Sequence, residues 1–130
     1  MAKIRLGSRP KNFRRSITVT LPEGGKGVME VSYIYRTRTE FGEFVDSLMK
    51  DAGVPQTGQT GEEVAFSLAV ALAKTRDANA DYILRIIDGW NLDEEFSRDS
   101  VAQLCDELPG AALEIMDQYR SAIVEGRLGN

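Results

Sequence analysis

Alternation of apolar and polar side chains predicts a β-hairpin near the start of the chain. Ile17, Val19 and Leu21 alternate with serine and threonine, as expected for a strand with one buried face. Pro22 ends this strand, and the glycine-rich residues 23–27 predict a reversing turn. The apolar positions of the second predicted strand are Val28, Met29, Val31, Tyr33 and Tyr35. Because an isolated hairpin is only marginally stable, its apolar face must pack on helices or on another subunit.

The rest of the chain predicts about five helices. Thr37 and Glu40 have the spacing of a capping box at the start of the first helix, and Thr60 and Glu63 have it at the start of the second. The second helix is apolar on nearly every side across residues 64–73, which predicts a place in the core or in a subunit interface. The apolar face of the first helix consists of Phe41, Phe44, Val45, Leu48 and Ala52.

Breaks in the pattern separate the remaining helices. Residues 74–76 predict the end of the second helix, and Asp77 can cap a third. Gly89 is a candidate for the position directly after the third helix, Ser97 can cap the fourth, and Pro109 precedes the fifth. The apolar stripes of these three helices are Tyr82, Ile83, Ile86, Ile87 and Trp90; Val101, Leu104, Cys105 and Leu108; and Ala112, Ile115, Met116, Tyr119 and Ile123.

Length and charge indicate one domain with two dissimilar ends. A chain of 130 residues can bury a core of its own, so we expect one compact, mainly α (α+β) domain over residues 16–126. Residues 1–15 hold six basic residues and no acid, which predicts a flexible basic arm, and residues 127–130 predict a frayed end. Residues 91–130 hold nine acids and three arginines. This asymmetry could join copies head to tail, or leave the arm for another acidic partner.

The residue types present argue against an enzyme. The chain has no histidine, the commonest general base and metal ligand. Acidic runs at residues 93–95 and 106–107 remain as paired carboxylates, but such runs more often form a solvated surface. Residues 24–27 lack the spacing of a phosphate-binding loop. Cys105 lies on an apolar stripe, which predicts a buried thiol in a reducing compartment. We therefore expect no catalytic site, no cofactor and no metal.

Segment lengths argue against a membrane protein and leave a second function open. The longest apolar run, residues 64–73, is shorter than the roughly 20 residues of a membrane-spanning helix. The basic start is not followed by the apolar stretch of a signal peptide, so we expect a soluble cytoplasmic protein. Residues 54–59 predict a mobile polar loop. The basic arm keeps nucleic-acid binding open, although Phe13 is its only aromatic and the net charge is −4.

An acidic connector at residues 88–97 carries the only tryptophan. Trp90, Leu92 and Phe96 alternate there with acidic and amide side chains, which predicts a connector that folds back on its neighbouring helices. For the two tyrosines of the second strand, core packing and a docking surface both remain open. The candidate residues for partner binding or self-association are Tyr33, Tyr35, Phe66, Val70, Trp90 and Phe96.

Five segments of the chain together resemble a known family. They are residues 6–13 (LGSRPKNF), 33–41 (YIYRTRTEF), 89–90 (GW), 93–97 (DEEFS) and 108–112 (LPGAA). In this order and spacing they resemble the tail assembly chaperones of long-tailed, siphovirus-type phages. The resemblance covers most of the chain.

The resemblance implies a non-enzymatic role in virion assembly. Such a protein coats the tape measure protein, keeps it soluble and helps to recruit tail tube subunits, the last through a longer form made by ribosomal frameshifting. The resemblance also implies a location in the host cytoplasm and not in the mature virion. Opposite charges at the two ends predict a homo-oligomer or an open helical array. The alternative is a small nucleic-acid-binding phage or regulatory protein that uses the basic arm.

Overall fold

The described chain forms a three-stranded antiparallel sheet and a set of helices. The first two strands precede the helices, and the third strand lies between the second and the third helix. The computed structural model describes residues 6–7, 9–51 and 68–126. The strands are β1 (Asn12–Thr20), β2 (Lys26–Ile34) and β3 (Ile87–Trp90), which lie in the order β1-β2-β3. The helices of the described residues are α1 (Arg38–Asp51), α2 (Leu68–Ile86), α3 (Arg98–Glu107) and α4 (Pro109–Val124). The mixed α+β class is as predicted.

The sheet has one buried face because apolar and polar side chains alternate along its strands. In the hairpin register Ile17 lies opposite Met29, and both side chains are buried. Helix α4 packs against β1, while α2 packs against β2 and β3. Thr18 and Glu30 lie on the other face and are exposed. The largest fully buried side chains are Tyr33, Tyr119, Ile17, Ile83, Ile86, Ile87, Ile115, Val31 and Val101.

Strand β1 begins at Asn12, earlier than the predicted start at Ser16. Phe13 lies opposite Tyr33, and the centroids of the two rings are 5.2 Å apart, so the buried face extends toward the start of the chain. The sequence pattern concealed this part of the strand because two arginines interrupt the apolar alternation. The predicted basic arm at residues 1–15 therefore overlaps the sheet.

Four helices lie in the described residues, whereas about five were predicted for the chain. Helix α2 continues through residues 74–76, where the Thr75 hydroxyl donates a 3.1 Å hydrogen bond to the carbonyl of Ala71. Asp77 therefore lies inside a helix and does not cap one. The predicted break was wrong because this stretch holds neither proline nor glycine, so nothing stops the helical hydrogen bonding. The second predicted capping box and the loop before it lie outside the described residues.

The third predicted helix was expected to carry its apolar stripe as far as Trp90, but the helix in the structure, α2, ends at Ile86. The residues that follow form β3, in which Trp90 lies opposite Val31 of β2. Gly89 consequently occupies a strand and does not terminate a helix. Isoleucines suit both kinds of element, and the free edge of β2 supplies backbone partners that the local pattern does not reveal.

Three of the predicted helix starts are confirmed. The Thr37 N–H donates to the Glu40 carboxylate at 2.9 Å, and the Glu40 N–H donates to the Thr37 hydroxyl at 3.2 Å, which closes the predicted capping box. Ser97 caps α3 by accepting a 3.2 Å hydrogen bond from the N–H of Ser100. Pro109 lies at the start of α4. Backbone N–H groups have no partner within the helix at that position, so the missing N–H of proline costs no helical hydrogen bond.

Glu40 also joins this capping box to the segment that precedes β1. The Arg9 guanidinium donates to both carboxylate oxygens of Glu40, the shorter bond being 2.6 Å. The bonds from Arg9, and then the N–H of Thr37, favour the ionised carboxylate and lower the pKa of Glu40 to about 2. The start of α1 is therefore held by a charged network.

We expect the Glu40 carboxylate to stabilise the fold above pH 4.5 and to lose this effect as the pH falls toward 2. Folding lowers the pKa of Glu40, so protonation favours the unfolded chain. Thermal unfolding followed by circular dichroism should give Glu40→Gln a lower midpoint than the wild type at neutral pH, and the difference should shrink with acidification. Glu43→Gln, at an exposed position of the same helix, is the matched control. A difference that stays constant with pH would contradict the expectation.

Candidate partner-binding surface

The acidic connector forms a packed corner between β3 and α3. The Trp90 indole N–H donates a 2.8 Å hydrogen bond to the carbonyl of Glu94, and the ring meets Phe96 edge to face at 5.2 Å. The Asn91 side chain accepts a 2.8 Å bond from the N–H of Glu30, while the Asn91 N–H donates to the Glu30 carbonyl at 3.1 Å. The prediction of a structured connector is confirmed, and β2 is one of the elements that hold it.

An apolar groove lies beside this corner. Leu92, Leu104 and Leu108 line two adjoining depressions, one of about 250 Å³ toward Trp90 and one of about 100 Å³ toward the hairpin. We term the combined surface the connector groove. Its apolar lining consists of Val19, Leu21, Val28, Met29, Trp90, Leu92, Leu104 and Leu108. The groove therefore joins the hairpin, the connector and the end of α3 in one surface.

Carboxylates stand at the groove and beside it. Glu94 and Glu107 line the depression next to the tryptophan. Asp93 and Glu95 are exposed in the same connector but do not line the groove. None of these four carboxylates takes part in an ion pair within the described ranges. An apolar floor bordered by acids that have no cationic partner among the described residues suits a partner whose apolar stripe is flanked by lysine or arginine.

Tyr33 lies in the core and not at a surface. Its side chain is fully buried, and its hydroxyl donates a 2.7 Å hydrogen bond to the carbonyl of Ile115. The ring centroid is 5.2 Å from that of Tyr119, whose hydroxyl donates to the carbonyl of Ile34 at 2.8 Å and accepts a 3.0 Å bond from Arg36. Burial raises the pKa of Tyr33, so its hydroxyl remains a donor.

The other predicted contact residues occupy different environments. Tyr35 is half-buried after β2, with the Arg9 guanidinium 5.1 Å from its ring centre. Val70 lies on α2 and is 53% exposed. Phe66 lies outside the described residues. Only Trp90 of the predicted set lines the connector groove over the described ranges.

The first turns of α2 expose apolar side chains. Leu68, Val70 and Leu72 are each more than half exposed, at 61%, 53% and 60%. The core placement predicted for this segment is therefore wrong for these three residues. Their neighbours farther along the helix, Ala80 and Ile83, are buried against the rest of the domain. A subunit interface stays a prediction for the exposed part.

Reactive groups are few and dispersed. In the part of the chain that the structure describes, no three carboxylate or thiol side chains are grouped so that they could hold a metal ion. Cys105 is buried, and burial raises the pKa of its thiol to about 11, so the thiol is protonated at neutral pH and is a poor nucleophile. Across the same residues, no helix combines the length and the apolarity needed to cross a bilayer.

Sequence reasoning missed most of the aliphatic wall of the groove. Leu104 and Leu108 fit the core stripe of a helix, and nothing local shows that their edges border a depression. The exposure of Val28 could be predicted, because it is adjacent to Met29 and consecutive strand residues face opposite sides. Met29 is buried and Val28 is 65% exposed, so the Val28 side chain lies on the face of the sheet away from Met29.

Comparison with known proteins identifies a matching family. The model of a family described as phage tail assembly chaperone matches residues 1–130. No curated protein and no solved structure matches the chain. The matched range contains the hairpin, the connector and α3, which together line the groove.

We expect Tyr33→Phe to lower the free energy of unfolding by about 1 kcal/mol, because it removes the buried bond to Ile115 and keeps the ring. Tyr35→Phe is the matched control, since no hydrogen bond of its hydroxyl is seen in the described structure, and it should change stability by less than about 0.5 kcal/mol. Urea unfolding followed by the fluorescence of Trp90 measures both. Equal losses in the two variants would contradict the placement of Tyr33 as an anchor of the core.

Proposed function

The chain belongs to the phage tail assembly chaperone family, and we propose that it binds the tape measure protein during tail assembly and keeps that protein soluble. The observation that carries this proposal is the connector groove, which presents leucine, valine and tryptophan side chains on a folded surface. A long helical partner exposes apolar stripes before the tail tube encloses it. Covering those stripes prevents their association with one another.

The groove has the form that one face of an amphipathic helix requires. Its two depressions adjoin along Leu92, Leu104 and Leu108, so neighbouring apolar side chains of a partner helix can enter them together. Trp90 provides a broad wall that its hydrogen bond to Glu94 holds in position. A rigid aromatic wall limits the side-chain entropy lost on binding.

Charge at the margin adds selectivity. Glu94 and Glu107 favour partner helices whose apolar stripe is bordered by lysine or arginine, and they speed encounter at low salt. The groove is shallow and small, which favours contacts of moderate affinity. Many copies on one long partner then hold it by avidity, and each copy can still leave when tube subunits arrive.

We further propose that the role is non-enzymatic and that it ends before the virion is complete. Recruitment of tail tube subunits is assigned to a longer, frameshifted form, and the work takes place in the host cytoplasm. Membership of the chaperone family supports these assignments. The nucleic-acid alternative has less support, because Phe13 packs on Tyr33 and Arg9 pairs with Glu40.

Co-expression with the tape measure protein of the same phage tests the proposal. The wild type should keep the partner in the soluble fraction and co-purify with it. Leu92→Glu places a carboxylate where the two depressions of the groove adjoin and should reduce the captured partner by about tenfold. Leu113→Glu makes the same change at a 58% exposed leucine outside the groove and should leave capture unchanged.

The possible results of the co-expression test lead to different conclusions. Circular dichroism of the two purified variants first establishes that both fold. If the wild type neither solubilises nor retains its partner, the chaperone proposal fails. If both variants capture the partner as the wild type does, the role stands and the connector groove is not its binding surface.

A further inference from the structure

The two depressions of the connector groove differ in charge. The depression toward Trp90, which we term the tryptophan half, is lined by the carboxylates of Glu94 and Glu107 as well as by apolar side chains. The depression toward the hairpin, which we term the hairpin half, has no charged side chain among the described residues that line it. Three leucines line both halves. The groove therefore combines a shared apolar floor with negative charge at one end only.

The two carboxylates of the tryptophan half are accessible to a partner. Glu94 and Glu107 are both exposed, and neither pairs with a lysine or arginine of the described residues. Glu107 accepts a 2.9 Å hydrogen bond from the Gln103 amide through one carboxylate oxygen, a bond that restrains its side chain and leaves its charge in place. A lysine or arginine entering this half would meet two negative charges beside an apolar wall.

The hairpin half is shaped for an uncharged side chain. A Cβ at Gly27 would lie 3.2 Å from Cδ2 of Leu21, so the absence of a side chain at Gly27 leaves room for Leu21 to line this half. The turn fixes the backbone of Leu21, whose N–H donates to the carbonyl of Gly25 at 2.7 Å and whose carbonyl accepts from the N–H of Gly24 at 2.8 Å. A charged side chain buried here would lose its hydration without gaining an ionic partner from the lining.

We infer that the connector groove binds amphipathic helical segments in an orientation set by their charge. Lysine or arginine at one end of the apolar stripe lies in the tryptophan half, and the uncharged end of the stripe lies in the hairpin half. A reversed segment would carry its cations into the apolar lining and leave Glu94 and Glu107 without partners. The inference rests on the proposed function, because it specifies which segments of the tape measure protein the groove binds.

Synthetic helical peptides of identical composition and with one leucine stripe test the orientation. The lysines are grouped at the amino-terminal end of the stripe, grouped at its carboxyl-terminal end, or spread along it. A nitroxide amino acid at either end of each peptide reports the orientation, because a nitroxide quenches tryptophan fluorescence at short range. Trp90 is the only tryptophan, and it lines the tryptophan half but not the hairpin half.

Quenching of Trp90 should follow the charge and not the direction of the peptide chain. In both grouped peptides, a nitroxide beside the lysines should quench strongly and a nitroxide at the uncharged end weakly. The peptide with spread lysines should bind about tenfold more weakly, because one of its cations must enter the hairpin half.

A pair of double variants isolates the carboxylates that line the groove. Glu94→Gln with Glu107→Gln keeps the shape of the tryptophan half and removes its charge, so the grouped peptides should bind about tenfold more weakly and quench equally from both ends. Asp93→Asn with Glu95→Gln removes the same charge at exposed positions of the same connector that do not line the groove. This control should bind and orient the peptides as the wild type does.

The peptide results are separable from the co-expression test. Equal quenching from both ends in the wild type, an unchanged preference in the glutamine variant, or no peptide binding at all would each overturn the inference. A wild type that solubilises the tape measure protein but binds peptides in both orientations keeps the proposed function and loses the inference. A wild type that orients the peptides but fails to solubilise the tape measure protein keeps the oriented groove and loses the proposed function.

Discussion

Two tyrosine hydroxyls tie the sheet to α4 through reciprocal hydrogen bonds. Tyr33 of β2 donates to the carbonyl of Ile115 in α4, and Tyr119 of α4 donates to the carbonyl of Ile34 in β2. Because each element supplies both a donor and an acceptor, the sheet cannot slide along α4 without leaving buried hydroxyls unpaired. The rings of the same tyrosines, with Phe13, fill the space between the two elements.

The position of β2 determines where β3 and the acidic connector lie. Its free edge recruits β3, and the pairing of Trp90 with Val31 determines where the acidic connector begins. The two hydrogen bonds between Asn91 and Glu30 then hold the connector against the same strand. The connector groove exists because the hairpin, the connector and α3 meet at this point. The proposed binding surface is therefore a consequence of how the core is anchored.

Alternate residues of the connector lie in different environments. Trp90, Leu92 and Glu94 line the groove, whereas Asp93 and Glu95 are exposed and do not line it. Only part of the acidic connector therefore borders the apolar groove.

By itself, the sequence determined the hairpin, most helix starts and most of the buried stripes, because capping and side-chain periodicity act over a few neighbouring residues. It also contained the family resemblance. The tertiary structure decided that residues 87–90 form a strand, that α2 runs unbroken past Asp77, and that Tyr33 is an internal anchor. It alone joined Val19 to Leu104 in one groove and left two buried guanidinium nitrogens of Arg15 without a hydrogen-bond partner. These features depend on groups distant in the chain, and only folding brings such groups into contact.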